Sequence, residues 1–289
     1  MKAYFCGWYY RFQSDTHTLA LIPSYHKSEA GNFSMIQLIT DTDAYAVSFP
    51  FSDFTKHGDT VRIGENTFSP RCISLDLSAP GLDATARLTF GENARLRYDI
   101  MGPFCLVPFM ECRHSVFSMR HTVSGSVIVN GVEYRFDDGV GYTEGDRGRS
   151  FPRVYAWTQS SFPEGSLMLS VAEIPLGKLR FIGIIGFVFL GGREYRIATY
   201  LGAKAEKIGD GEIVVRQGRY RLTVRRLTQA GHLLRAPREG AMTRTIREHP
   251  ACPVYYRFER DDIVLFEKTD ERAALEYEFP DTPAPAENR

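Results

Sequence analysis

Val127-Ile128-Val129-Asn130-Gly131-Val132-Glu133-Tyr134-Arg135-Phe136 is a β-hairpin written in residue types. Two runs of β-branched and aromatic residues flank Asn-Gly, the pair that suits a two-residue turn with both central residues at positive φ. The same grammar recurs in both directions. Phe187-Val188-Phe189-Leu190 and Glu194-Tyr195-Arg196-Ile197-Ala198 flank Gly191-Gly192, and Ile213-Val214-Val215-Arg216 and Tyr220 to Leu227 flank Gln217-Gly218. Upstream, Leu19 to Ile22, Met35 to Thr40, Ala44 to Phe51, Ile73 to Leu77 and Ala84 to Phe90 are short runs bounded by turn residues. In Ile73 to Leu77 and Ala84 to Phe90 the apolar and polar residues alternate. Helix signals are poor, and Ala241 to Glu248 is the one segment that reads as a short helix. The pattern predicts an all-β protein of many short antiparallel strands, a barrel or a sandwich.

The remaining composition narrows the classes. With 289 residues the chain has ample sequence for one large or two ordinary domains. Lys and Arg number 35, as do Asp and Glu. This balance argues against a nucleic-acid partner, which draws on a basic surplus, and against attachment to lipid by charge alone. Five scattered cysteines (Cys6, Cys72, Cys105, Cys112, Cys252) show no pairing pattern, and Met1 to Trp8 lacks a signal-peptide apolar run. A reducing cytoplasm with free thiols is the expected setting. The longest apolar run, Phe181 to Leu190, is about half a bilayer span and reads as a buried strand broken by Gly183 and Gly186.

Chemistry concentrates in Gly141-Tyr142-Thr143-Glu144-Gly145-Asp146-Arg147-Gly148-Arg149-Ser150-Phe151-Pro152, read as a sharply turning loop just before the aromatic strand Val154-Tyr155-Ala156-Trp157. Acids and bases crowded against aromatic walls shift one another's pKa values, and such clusters mark working sites; the competing reading is a solvated loop whose Asp and Arg pair with each other. An echo supports two halves. Gly7-Trp8-Tyr9-Tyr10-Arg11-Phe12 opens the chain with an aromatic strand, and Pro152 to Gln159 opens a second series about halfway along. The predicted organisation is an N-terminal barrel over 1–148, a C-terminal barrel over 149–280 and a Pro- and Ala-rich disordered tail over 281–289.

Four blocks carry a family resemblance: Gly7 to Arg11; Tyr142 to Arg153 with the aromatic strand and Gln159; Arg193-Glu194-Tyr195; and Leu234-Arg235-Ala236-Pro237. On these the chain resembles bacterial members of the tocopherol cyclase family, whose plant-type pattern is Tyr-x-Glu-x-Asn-Trp-Gly-x-x-Phe-Pro. Tyr142, Glu144, Gly148, Phe151 and Pro152 match it. Asp146 stands where Asn is usual and Arg147 where Trp is usual, which alters charge and bulk beside the site. The resemblance implies two tandem lipocalin-like antiparallel β-barrels, as in the related carotenoid hydratase group. It also implies a reaction without metal or redox cofactor, in which an alkene of a prenyl side chain is protonated and a phenolic oxygen closes a ring on the tertiary cation. The implied partner is an apolar small molecule, a prenylated quinol or other isoprenoid, with transient contact to a membrane surface.

The residues suit such chemistry. Alkene protonation needs an acid held neutral in an apolar place. Glu144 is the first candidate and Asp146 the second; two positions apart on an extended segment, they share a face. One arrangement has Glu144 protonated and Asp146 ionised against Arg147 or Arg149. Aromatic faces stabilise a carbocation without attacking it, and Trp8, Tyr10, Tyr142, Tyr155 and Trp157 are candidates for that wall; each is equally readable as an ordinary core aromatic. Met110 to His121 adds two histidines, two arginines, a glutamate and a cysteine. His114 or His121 can take a phenolic proton or orient a quinol hydroxyl. Cys112, His114 and His121 fit no standard zinc spacing, so no metal is expected. The alternative function is a non-catalytic lipocalin-like carrier of an apolar molecule. A third reading is a scaffold whose charged junction loop docks a partner.

Overall fold

The computed structural model describes residues 3–107, 110–176, 179–228 and 232–280. The predicted tail, 281–289, lies outside the described residues, as do Pro108 and Phe109. Eleven strands make the first antiparallel sheet: β1 (Tyr4–Gln13), β2 (Thr18–Ser28), β3 (Gly31–Ile39), β4 (Ala44–Pro50), β5 (Phe54–His57), β6 (Thr60–Ile63), β7 (Asn66–Phe68), β8 (Cys72–Ala79), β9 (Leu82–Phe90), β10 (Cys112–Val129) and β11 (Val132–Gly148). A second sheet is formed by β12 (Tyr155–Phe162), β13 (Gly165–Leu176), β14 (Leu179–Leu190), β15 (Arg193–Ala198), β16 (Lys204–Gly209), β17 (Glu212–Gln217), β18 (Tyr220–Arg226), β19 (His232–Arg238), β20 (Ala241–Arg260) and β21 (Ile263–Tyr277). Only three short 3-10 turns interrupt them among the described residues. The protein is all-β, with two curled antiparallel sheets in tandem, as expected of lipocalin-like barrels. Among the described residues no helix is long and apolar enough to cross a membrane.

Both sheets follow one plan. The aromatic opening strand of each pairs with the last long strand of its half, β1 with β11 and β12 with β21. The strand order β4-β3-β2-β1-β11-β10-β9-β8-β7-β6-β5 is matched in the second sheet by β15-β14-β13-β12-β21-β20-β18-β17-β16, with β19 on β20. The Asn130-Gly131 turn has the geometry its sequence demands, with φ of 51° and 83°.

Each curled sheet closes around its own core. Trp8, Tyr10 and Phe12 of β1 point into the first, and Ala156 and Phe162 of β12 into the second. Because successive strand residues face opposite ways, Tyr9, Tyr142, Tyr155 and Trp157 point outward. They are buried all the same, in a third apolar cluster where the outer faces of the two sheets meet. Arg11, on that outer face and 1 % exposed, crosses the junction. Its guanidinium donates to Gln159 Oε1 at 3.0 Å and to the Arg272 carbonyl.

Three local readings are corrected. The segment Ala241 to Glu248 is not helical but the start of β20, paired with both β19 and β21; the β-branched Thr243, Thr245 and Ile246 and the two neighbouring ladders outweigh a weak helix propensity. Phe181 to Leu190 runs unbroken through Gly183 and Gly186 as part of β14. Most of the supposed loop at Gly141 to Pro152 is strand, since β11 extends to Gly148. Its glycines serve close approach rather than turning: a Cβ at Gly145 would lie 2.7 Å from the Gly7 carbonyl, and one at Gly141 2.1 Å from His121 Nε2.

The junction contact at Arg11 is testable. Arg11→Met keeps the stem and removes the donor, stranding two acceptors. A buried acceptor left without its partner costs about 1–3 kcal/mol. Denaturant unfolding should show a loss of that size, and an unchanged midpoint would show that the contact contributes nothing to stability.

Candidate active site between the two sheets

Alternation along β11 sorts its side chains. Tyr142, Glu144 and Asp146 face the junction, whereas Gly145 and Arg147 face the first barrel, opposite Trp8 and Cys6 of β1. In β10, His114 is the cross-strand partner of Asp146 and so faces the junction too. Two register shifts, between Val116 and Ser118 and between Ser118 and His121, then carry the strand to His121, opposite Gly141 on the other face. There the His121 ring packs on Phe90, 4.9 Å away, and its Nδ1 bonds Ser118 Oγ at 2.9 Å.

Glu144 is the centre of the cluster, 5 % exposed. Tyr142 Oη donates to its Oε2 at 2.5 Å and Trp157 Nε1 at 3.2 Å. His114 Nε2 lies 3.1 Å from the same oxygen, close but poorly aligned for a hydrogen bond. Among the described residues Oε1 takes no hydrogen bond. The other nitrogen of His114, Nδ1, bonds Asp146 Oδ1 at 3.0 Å, and Cys112 Sγ donates to that oxygen at 3.4 Å. The imidazole is thus held between two carboxylates. Burial disfavours its charged form, but Glu144 and Asp146 outweigh burial and hold its pKa well above the ordinary value. Burial, reinforced by Glu144, pushes the Tyr142 phenol up and keeps it a donor.

Glu144 and Asp146 line two adjoining cavities. One, of about 110 Å³, is walled by apolar groups including Met101, Phe104, Ile174 and Trp157. The other, of about 80 Å³, lies toward β2 and β20 among Phe5, Ile22 and Ile246. Phe151 and Glu276 line both. Phe151 stands between them, its ring edge-on to Phe5 at 5.4 Å and to Tyr155 at 6.1 Å. Each cavity alone is of the order of one that holds a single benzene-sized group (~150 Å³).

The structure thus brings together Glu144, Asp146, His114, Tyr142, Tyr155 and Trp157 of the residues singled out from sequence. It does not bring Tyr10, His121, Arg147 or Arg149 to the 110 Å³ cavity. Trp8 borders only the 80 Å³ cavity and the first barrel's mouth. The expected pairing of Asp146 with Arg147 or Arg149 is replaced by His114. Arg147 is on the opposite face of β11, and Arg149, past the strand's end, is 3.7 Å from Glu111. Sequence reading missed Glu276, which accepts a hydrogen bond from Tyr155 Oη. No local motif marks it; only the pairing of β12 with β21, which sets Trp157 opposite Glu276, brings it to the site.

His114, Glu144 and Asp146 also present one donor atom each within 4.8 Å of one another, close enough to hold a cation. Both ring nitrogens of His114 already face carboxylates, so a cation would have to displace one of those contacts.

No protein-family model and no curated protein sequence matches the chain. Solved structures do, at the level of fold. CghA is 11 % identical with a TM-score of 0.61, over 98 % of this chain and 90 % of that one. It has also been solved with Sch210972. Kievitone hydratase from Nectria haematococca is 10 % identical with a TM-score of 0.54, over 96 % and 89 %. A Nitrosomonas europaea protein described as AttH is 10 % identical with a TM-score of 0.54, over 97 % and 93 %. The chain therefore shares the fold of these structures along almost its whole length. Membership of the tocopherol cyclase family itself is not among these findings.

The histidines give a measurable contrast. Burial lowers the pKa of His26 and His121 to about 4, while that of His114 is raised. Nitrogen NMR of the imidazoles at neutral pH should find His114 charged and His26 and His121 neutral. The raised group stabilises the fold fully below the unfolded pKa of about 6.5, and that contribution fades as pH climbs through its folded pKa. The two lowered groups act oppositely: the unfolded chain takes up protons that they refuse, so stability falls between pH 6.5 and about 4. A neutral His114 at pH 7 would contradict the bridging ion pair.

Proposed function

We propose that the protein is a cofactor-independent enzyme that protonates an apolar small molecule in the junction cavity. In this reading it is a tocopherol cyclase-like cyclase or a related hydratase, with a prenylated quinol or other isoprenoid as substrate class. The observation that carries the reading is the asymmetry of Glu144. Tyr142 and Trp157 donate to Oε2 and His114 Nε2 lies 3.1 Å from it, while Oε1 takes no hydrogen bond among the described residues, so the carboxyl sits beside an apolar cavity with a proton source at hand. Sequence resemblance at Tyr142, Glu144, Gly148, Phe151 and Pro152 supports it. So do a fold neighbour that is by name a hydratase and another solved with a small molecule bound.

At rest the proton lies on His114, between the two carboxylates. In this mechanism an apolar ligand that excludes water moves it onto Glu144. The carboxylic acid so formed protonates the less hindered alkene carbon, leaving the adjacent carbon a tertiary cation. The rings of Trp157, Tyr155 and Phe104 face it. The carboxylate left behind is stabilised by Tyr142, Trp157 and His114, already in place before the charge develops. The cation is closed by the substrate's own phenolic oxygen in a cyclase, or by water in a hydratase. Either oxygen sheds one proton. Glu276, held by Tyr155 in the same cavity, is positioned to take it, and Glu144 is recharged through His114. A substrate with a ring and a prenyl chain needs both cavities at once, so Phe151 must swing aside on binding. A cytoplasmic protein meeting a lipid-soluble substrate at a membrane surface is the setting this reading implies.

The test is incubation with a phytyl or geranylgeranyl benzoquinol in deuterated water, read by mass spectrometry. A product carrying one new carbon-bound deuterium is expected. Glu144→Gln should lower turnover by about 10²–10⁴-fold, the usual contribution of a positioned acid, with the fold retained. Unchanged turnover in that variant removes Glu144 as the acid. Substrate that binds unaltered would instead favour a carrier. Turnover should survive a chelator; loss restored by a divalent cation would replace this mechanism with a metal-assisted one.

A further inference from the structure

A cavity larger than either of those that Glu144 lines is found elsewhere among the described residues. About 600 Å³ opens at the mouth of the first barrel, on the other face of β1 and β11. Its floor is Trp8, Tyr10, Tyr25 and Cys6, and its only residue in common with the 110 Å³ cavity is Asp146. Lys56, Arg95 and Arg147 line it as well. Lys56 and Arg95 are exposed and Arg147 is half-buried. Among the described residues none of the three cations forms an ion pair with a carboxylate. Arg147 Nη1 reaches only Ser115 Oγ, at 3.5 Å, and Lys56 donates to the Gly58 carbonyl.

The carboxylates at the same cavity are largely committed. Asp146 is bonded to His114 at 3.0 Å, and Asp99 accepts the Met101 N–H at 2.8 Å, which leaves Asp59. With Asp146 turned to His114, three cations face Asp59 and Asp99 above an aromatic floor, a local surplus of positive charge in a chain whose charges balance. Such a combination discriminates by head-group charge and holds an apolar tail by area.

We propose that this cavity is a second ligand site, distinct from the 110 Å³ cavity although it shares Gly7, Trp8, Gly145 and Asp146 with the 80 Å³ one, and that it takes an anionic amphiphile. The alkyl or aromatic tail lies on Trp8, Tyr10 and Tyr25, and the carboxylate or phosphate head sits among Lys56, Arg95 and Arg147. The site does not depend on the enzymatic reading, because neither Glu144 nor Glu276 lines it.

The chain's two tryptophans make the test direct, since Trp8 lines this cavity and Trp157 the other. In Trp8→Phe the remaining indole reports on the junction. In Trp157→Phe it is Trp8, which lines both this cavity and the 80 Å³ one, so Lys56 and Arg147, which line only this cavity, assign its signal to the first barrel. Laurate and dodecyl phosphate are titrated against dodecyltrimethylammonium and dodecanol, which have the same tail. Saturable change of Trp8 emission is expected with both anions, at about tenfold higher affinity than with the cation, and weakening as salt rises. The relative affinity of laurate and dodecyl phosphate identifies which head the site prefers. Arg147→Ala should weaken anion binding about three- to fivefold and leave dodecanol unaffected. Lys56→Glu, an exposed change that the fold tolerates, should weaken it further and improve the cation. Anion binding reported by Trp157 instead of Trp8, equal affinity for all heads, or no saturable binding would each overturn the proposal.

Discussion

Where the two sheets meet, β1, β11, β12 and β21 are buried on both sides. Their inward sides fill two separate barrel cores, and much of their outward sides is buried against the other sheet. In a two-period strand this leaves each polar side chain there with two options, to find a partner across the junction or to remain unsatisfied. Arg11 finds Gln159 and the Arg272 carbonyl. Glu144 finds Tyr142, His114 and Trp157, the last contributed by the opposite sheet. The site therefore exists only where both halves are present. The Trp157–Glu144 bond is at once a site contact and a junction contact.

That arrangement also explains why a charged cluster can sit among apolar walls. Isolated, a buried carboxyl or imidazole is costly. Here two carboxylates bracket one imidazole, so that the group with the raised pKa is the one between them. Asp146 is the less enclosed of the two acids, with its side chain 22 % exposed against 6 % for Glu144. The cluster is thus graded from a solvent side to an apolar side along a single strand face. Such a gradient separates the place where protons enter from the place where an apolar ligand lies.

Much of this was legible in residue types, because the determining signals are local. The Asn130-Gly131 hairpin, the alternation in Ala84 to Phe90 and the two aromatic opening strands identify a tandem all-β chain. The spacing of Tyr142, Glu144 and Asp146 puts them on one face of a strand. What failed were inferences that need pairing partners. Whether Ala241 to Glu248 is helix or strand was decided by β19 and β21, not by its own residues. Arg147 reads as a neighbour of Asp146 in sequence, yet sits across the sheet from it. His121 reads as a twin of His114, yet register shifts in β10 lead it into the first core. Glu276 had no signal at all, since the pairing that brings it beside Trp157 joins residues more than a hundred positions apart.

The glycines of β11 close the argument about geometry. At Gly145 a methyl group would collide with the Gly7 carbonyl and with Phe117, and at Gly141 with His121 and Val123. Their absence of side chains lets β1, β10 and β11 approach closely on the first-barrel face, which leaves room there for the larger cavity. The same closeness fixes the opposite face, where Glu144 and Asp146 alternate with these glycines and have little freedom to shift relative to His114. One run of alternating acid and glycine therefore shapes two cavities on opposite faces of one strand. One is apolar with a bracketed imidazole, the other larger and lined by cations that form no ion pair among the described residues, and Asp146 is the residue that borders both.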